Sequence, residues 1–300
     1  MVAGASWLWW VGFHLVVVGL LVADWLLHSR SGREKPSTSM AWFWTAVLLV
    51  AALAFAGWIA YAQSRQSALE FIGGYAIEGS LSVDNLVVFL AIFQGFGVGP
   101  QRQHTALRWG VAGAIVLRAL FIAAGIALLR HFAWIPWIFG LILLYAAWRF
   151  VVGGSAKAAV PSWVRKLQPA ATARSQSVSL LPVIVMIECT DLIFAVDSIP
   201  AVLAVSHNPF VVYTSNIAAV LGLRTLYVAL ASLLDRLRYL HYGLGALLAF
   251  VAFKMLAARW IEVPITISLV MVGAILAVCV LASLLAGRSE RECQPTTPRK

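Results

Sequence analysis

Glu188-Cys-Thr-Asp191-Leu-Ile-Phe-Ala-Val-Asp197-Ser198-Ile-Pro200 decides how this chain is read. The three carboxylates sit inside a run, from about 178 to 205, that is otherwise apolar and long enough to cross a bilayer. An ionised side chain at membrane depth costs at least about 2.5–3.5 kcal/mol. Three of them on one segment, with no cation beside them, require positive charge from elsewhere. An earlier apolar run holds a second acidic set, Ile77-Glu78-Gly-Ser80-Leu-Ser82-Val-Asp84-Asn85.

Composition places both stretches in a membrane. The 300 residues are 62% hydrophobic and 11% charged, with mean hydropathy +0.89, values of a polytopic membrane protein. The net charge of +10 does not signal nucleic acid, because nearly all the cations fall in short gaps between apolar runs. Cys189, Cys279 and Cys293 show no paired spacing, so neither a disulfide framework nor a zinc module is expected. The first apolar run lacks a basic leader and a small-residue cleavage pattern, and reads as a retained span.

Apolar runs of about 20 residues mark nine expected spans, at about 7–27, 41–61, 71–93, 106–129, 135–152, 178–205, 211–234, 243–258 and 265–286. Lys and Arg concentrate in every second gap: Arg30/Arg33/Lys35, Arg102/Arg108, Arg149 to Arg174, Arg236/Arg238, and the tail from Arg288. The positive-inside rule then sets the N-terminus outside and the C-terminus in the cytoplasm. The segment 153–177 reads as a cytoplasmic linker near anionic lipid, and the tail from Ser289 as disordered. Asp24 and His28 read as interfacial, and most of the thirteen tryptophans as interfacial belts.

A repeat crosses the linker. Val83-Asp84-Asn85 echoes Val196-Asp197-Ser198, Leu117-Arg118 echoes Leu223-Arg224, and Gly140 to Arg149 echoes Gly245 to Lys254. Three spans therefore correspond to three, and an odd number inverts the second unit. The expected organisation is two peripheral spans (1–70), a first repeat (71–152), the linker (153–177), a second repeat (178–258), a last span (259–287) and a tail (288–300). The fold class is all-α, polytopic and membrane-embedded, with the two acidic stretches opening their respective repeats.

On a regular helix Glu78, Ser82 and Asn85 share a face while Asp84 lies about 120° away. Asp191 and Ser198 likewise share a face that Asp197 leaves. Breaks at Gly73, Gly74 and Gly79, and at Pro200, are expected to resolve the mismatch and to free backbone oxygen. Glu78, Asp84, Glu188, Asp191 and Asp197 offer five negative charges against two counter-ions, Arg118 and Arg224. Three remain, which a divalent cation and a proton would balance. Oxygen donors, including Asn85, suit hard ions such as Mn²⁺, Mg²⁺ or Ca²⁺. The six histidines mostly sit near span ends. Carboxylates that only specify helix packing are the bland alternative.

Ser80-Leu-Ser-Val-Asp84-Asn85 and Glu188-x-Thr-Asp191-Leu-Ile-Phe-Ala-Val-Asp197-Ser-Ile-Pro200-Ala resemble the two signature segments of the TerC family. Tyr213-Thr-Ser-Asn216-Ile, Leu221-Gly-Leu-Arg224, Arg238-Tyr-Leu-x-Tyr242-Gly and Lys254-Met-Leu extend the likeness from about Trp7 to Leu284. The resemblance implies Mn²⁺ export across the bacterial plasma membrane, with Glu78, Asp84, Glu188, Asp191 and Asp197 handling the metal. Gly79 and Cys189 depart from the family pattern, where lysine and phenylalanine are usual; neither departure removes a ligand. The resulting expectation is a secondary transporter with no enzymatic activity and no resident cofactor, whose partners are the bilayer and the ion. Asp84 and Asp197 are expected as direct ligands at a midplane site between the repeats. A membrane assembly or stress-complex component, in which the acids are structural or partner-binding, is the alternative.

Overall fold

The computed structural model describes residues 7–30, 38–152, 180–230, 240–261 and 263–292; the linker and the last eight residues lie outside this set. The described residues fold into nine helices: α1 (Trp7–Arg30), α2 (Thr38–Ala62), α3 (Arg65–Gly95), α4 (Pro100–His131), α5 (Ile135–Val152), α6 (Leu180–Leu203), α7 (Pro209–Leu230), α8 (Leu240–Ala257) and α9 (Ile265–Glu292). Three, at Ser39–Ala62, Arg102–His131 and Ile265–Ser283, are long and apolar enough to cross a membrane by length and composition. Shorter apolar helices lie at Trp7–Val22, Ile135–Arg149, Pro209–Leu223 and Tyr242–Ala257. α9 runs on through Ser289 to Glu292, so the start of the expected disordered tail is helical.

Large apolar side chains face outward, among them Leu15, Val50, Leu141, Val270 and Val278. In water so extensive an apolar exterior would drive aggregation. In lipid it is the bounding surface, which explains why the helices are apolar on their outer faces as well as their inner ones.

The principal seams are α5 with α8, α3 with α7, and α4 with α6, followed by α3 with α6 and α4 with α7. Exchanging α3 for α6, α4 for α7 and α5 for α8 leaves this set of pairings unchanged. That is the pattern a pair of three-helix units related by a two-fold axis must show. α2 packs on α7 and α3, and α9 on α3 and α8. α1 is fastened chiefly by side chains: Trp9 against Trp58 (ring centroids 5.1 Å apart), Trp10 against Phe210 (5.3 Å) and Phe13 against Phe55 (5.6 Å). His14 Nδ1 donates to the Trp10 carbonyl, leaving Nε2 to accept the Tyr213 hydroxyl at 3.0 Å.

The breaks expected in α3 and α6 are not observed; both helices run uninterrupted. Pro200 falls in the last turn of α6; the amide it lacks is the one that would bond the Val196 carbonyl, yet the helix continues past it to Leu203. The glycines of α3 serve close approach instead. A Cβ at Gly74 would overlap the Ser215 hydroxyl, whereas Gly79 faces open space. The left-handed turn between α3 and α4 falls on Gly97 (φ +61°), the residue that adopts it without strain. Asn208 starts α7 by accepting the Phe210 amide at 3.1 Å, ahead of Pro209 in the first turn.

The α5–α8 seam depends on Gly140, where an added Cβ would meet Leu256 at 2.6 Å. Gly140→Val is expected to cost about 1–3 kcal/mol through overpacking. Thermal unfolding in detergent should show that loss, and Leu256→Ala in the same chain should recover much of it.

Candidate functional site

The centre of the bundle is built on Arg118, midway along α4. It is fully buried, and a guanidinium offers five donors in a rigid fork. Nε donates to Asp191 Oδ2 at 3.1 Å and Nη2 to Asp191 Oδ1 at 2.8 Å, a two-pronged pair with α6. Nη1 donates to Glu78 Oε1 on α3 and to Asn216 Oδ1 on α7, the latter at 3.2 Å. Asn216 Nδ2 in turn donates to Glu78 Oε2 at 2.8 Å. Glu78 and Asn216 have no exposed surface and Asp191 only 2%. Four helices, two from each repeat, thus meet in one buried polar cluster, in which Arg118, Glu78 and Asn216 close a ring and Asp191 joins through Arg118.

The register of α3 against α6 follows from their contacts. Glu70 meets Ser206, Gly73 approaches Val205, and Gly74 approaches Val202. Residues ascend on one helix as they descend on the other, so the pair is antiparallel. The same register sets Glu78 level with Ser198, which is buried and faces the Glu78 carboxylate, and Asn85 level with Asp191. Moreover, the interval along the chain that separates Asp84 from Asp197 also separates Glu78 from Asp191. The two acids held by Arg118 are therefore repeat-related partners.

Glu188 lies one turn before Asp191 on α6. A Cβ built on Gly113 of α4 would overlap its carboxylate, so that glycine makes its seat. Neither Glu188 oxygen meets a hydrogen-bond donor among the described residues, nor do the buried Ser82 Oγ and Asn85 Oδ1. All of these atoms are oxygens. An oxygen-rich, partly unsatisfied lining in a buried setting matches the donor preference of hard cations. Among the described residues, no three acidic, histidine or cysteine side chains gather as a ready-made metal cage.

The expected site residues are thus divided. Glu78, Asp191 and Arg118 converge directly, with Glu188 beside them. Asn85 and Ser82 share the buried face of α3 with Glu78. Asp197 is half-buried on another face of α6, where the nearest cationic influence is Arg149 of α5. Asp84 and Arg224 lie on α3 and α7, and their side chains fall outside the described set, as do those of Asp24 and His28. Asn216 is the member that site analysis of the sequence missed. Its signal was an amide between Ser215 and Ile217 inside an otherwise largely apolar span, one turn beyond Tyr213.

These features define an all-helical integral membrane protein whose two inverted repeats clasp a buried, charged centre. Residues 63–291 match the Integral membrane protein TerC family. The chain belongs to that family. It is 38% identical over 294 residues to a putative membrane-bound redox modulator Alx of Salmonella typhi, covering 90% of this chain and 91% of the relative. The Alx protein of Escherichia coli K12 is 37% identical over 292 residues, covering 89% and 91%. An uncharacterized membrane protein, STKORF319, of Myxococcus xanthus is 32% identical over 308 residues, covering 97% and 96%. No solved structure matches the chain.

Arg118→Ala leaves Glu78 and Asp191 buried without their cation, a loss of about 3–5 kcal/mol. Arg118→Lys should recover only part, because an ammonium cannot reproduce the two-pronged contact with Asp191. Detergent-solubilised unfolding midpoints should rank wild type above Lys and Lys above Ala.

Proposed function

We propose that this protein is a secondary transporter that exports a divalent cation, Mn²⁺ first among them, across the bacterial plasma membrane. The observation that carries the reading is the sharing of one buried guanidinium by carboxylates from both repeats, Glu78 and Asp191. If ionised, Glu78, Asp191 and Glu188 against Arg118 leave two negative charges, the charge of one divalent ion. Arg118 then holds the acids together between loads. An arriving cation draws Glu78 and Asp191 away from it, with Asn85, Ser82 and Ser198 supplying neutral oxygen. Because the acids belong to opposite repeats, exchanging guanidinium for metal changes the force between those repeats. Such a change is what a rocking, alternating-access cycle needs.

Asp84 and Asp197 flank this centre along their helices as further cation-handling acids, and spare carboxylate suits proton exchange. The charge rule places the N-terminus outside and the C-terminus in the cytoplasm. The reading includes no enzymatic step and no resident cofactor. A second reading draws on the completeness of the cluster itself: Arg118 satisfies both acids, as a purely structural arrangement would. In that case the protein is an assembly or stress-complex component, and purified protein moves no metal.

Uptake of Mn²⁺, Ca²⁺, Mg²⁺ and Zn²⁺ into proteoliposomes separates the two. Wild type should carry Mn²⁺, while Glu78→Gln, Asp84→Asn, Asp191→Asn and Asp197→Asn each lower the rate by at least about 100-fold, as expected when an interaction of the rate-limiting step is removed. Metal-independent vesicles would leave the structural reading standing.

A further inference from the structure

Glu70 belongs to α3 but not to the central cluster. It precedes Glu78 by a little over two helical turns, about 12 Å along the axis and about 80° around it, with Gly74 midway between them. Each level of this stretch meets a partner. Glu70 Oε2 accepts the Ser206 hydroxyl at 2.6 Å, and Oε1 accepts Gln66 Nε2 at 3.1 Å. Gly74 approaches the Ser215 hydroxyl. Glu78 meets Asn216 and Arg118. Ser206 is 3% exposed, and Ser215 and Asn216 are fully buried.

Oxygen-bearing side chains therefore line one path from the centre of the bundle to the end where α3 begins and α6 stops. Asn208 Nδ2 donates to Gln63 Oε1 at 3.1 Å across the same mouth. Lys254 of α8 is half-buried within electrostatic reach of Glu70. The opposite end of the α3–α6 pair holds Phe89, Phe93, Val183 and Met186 in an apolar cluster. Between Glu78 and Glu70 the Ser215 hydroxyl and the Val202 side chain pack onto Gly74, so a cation moving toward the Glu70 end meets a hydroxyl oxygen there and must displace these two side chains to pass.

We infer that Glu70 is a second carboxylate station for the transported divalent cation, at the mouth through which the ion leaves the Glu78–Asp191 centre, and that Ser206 shuts this mouth by donating to it. The inference rests on the transport reading above, in which the charge rule makes this end the outer one. The arriving cation takes the place of the Ser206 and Gln66 donors on the carboxylate, and loss of the Ser206 bond frees the α6–α7 connection from α3. Lys254 then favours release, since it repels the ion that Glu70 has accepted.

Mn²⁺ flux through wild type, Glu70→Gln and Glu70→Asp in proteoliposomes tests this. Glu70→Gln still accepts from Ser206 but lacks the charge. Its maximal rate should fall about tenfold, while KM on the loading side changes by less than about twofold. Glu70→Asp should keep most of the rate. A Glu70→Gln protein indistinguishable from an active wild type would overturn the inference and leave the transport reading intact. Wild type that moves no divalent cation would remove both. Should Glu70→Gln fail to accumulate in the membrane, Gly73→Cys/Val205→Cys decides, in a chain with the native cysteines replaced by alanine. A Cβ at Gly73 lies 3.1 Å from Val205 Cγ1, so the pair is within disulfide reach and leaves Glu70 in place. Flux that stops on oxidation and returns with reductant supports the mouth; equal flux in both states overturns it.

Discussion

The structure depends on one buried cation serving two halves of the molecule. Arg118 sits where a charge has no water to lean on, and its bonds to Glu78, Asp191 and Asn216 account for both acids at once. Remove the guanidinium and two carboxylates are stranded in a low-dielectric interior; remove either carboxylate and the other must balance it alone. Acids that would oppose insertion of α3 and α6 one at a time become tolerable when the helices assemble around α4. The packing of the bundle and the chemistry of its centre are therefore the same constraint.

Glycine makes that assembly close enough. Gly113 leaves room for the Glu188 carboxylate and Gly110 for Ile187, so α6 lies tightly along α4; Gly74 does the same for Ser215 of α7. In lipid, helices gain no hydrophobic advantage by associating, and small residues that permit near approach supply contact instead. Gly73 and Gly74 suggested hinges in the sequence because glycine weakens helices in water. Here the same residues are explained by what packs over them.

Much of this was legible in the chain itself. Apolar run lengths mark the helices, and the echo of Leu117-Arg118 in Leu223-Arg224 marks the repeated units. Acids in apolar surroundings mark the centre. Periodicity showed that Glu78 and Asp84 point to different sides, but not which side turns inward. That is a tertiary property, and the preference for Asp84 with Asp197 as the meeting pair came from their matching motif alone. Among the described side chains the structure joins Glu78 to Asp191 through Arg118, and the residues flanking that pair differ too much to show the correspondence. Asn216 and Glu70 were passed over for a related reason. A single amide or a glutamate near a span end is common, and only its partners give it meaning.

The cluster also has an order in time. Glu78 and Arg118 both lie in the first repeat, so a nascent chain that has reached the linker already holds one acid and one base in balance. Asp191 is made later, and the cation that pairs with it, Arg118, belongs to the first repeat. The acid enters the bilayer beside a guanidinium with donors still to spare. The arrangement lets synthesis from N-terminus to C-terminus deliver the base before the acid that needs it, so the second repeat matures on a template the first has prepared.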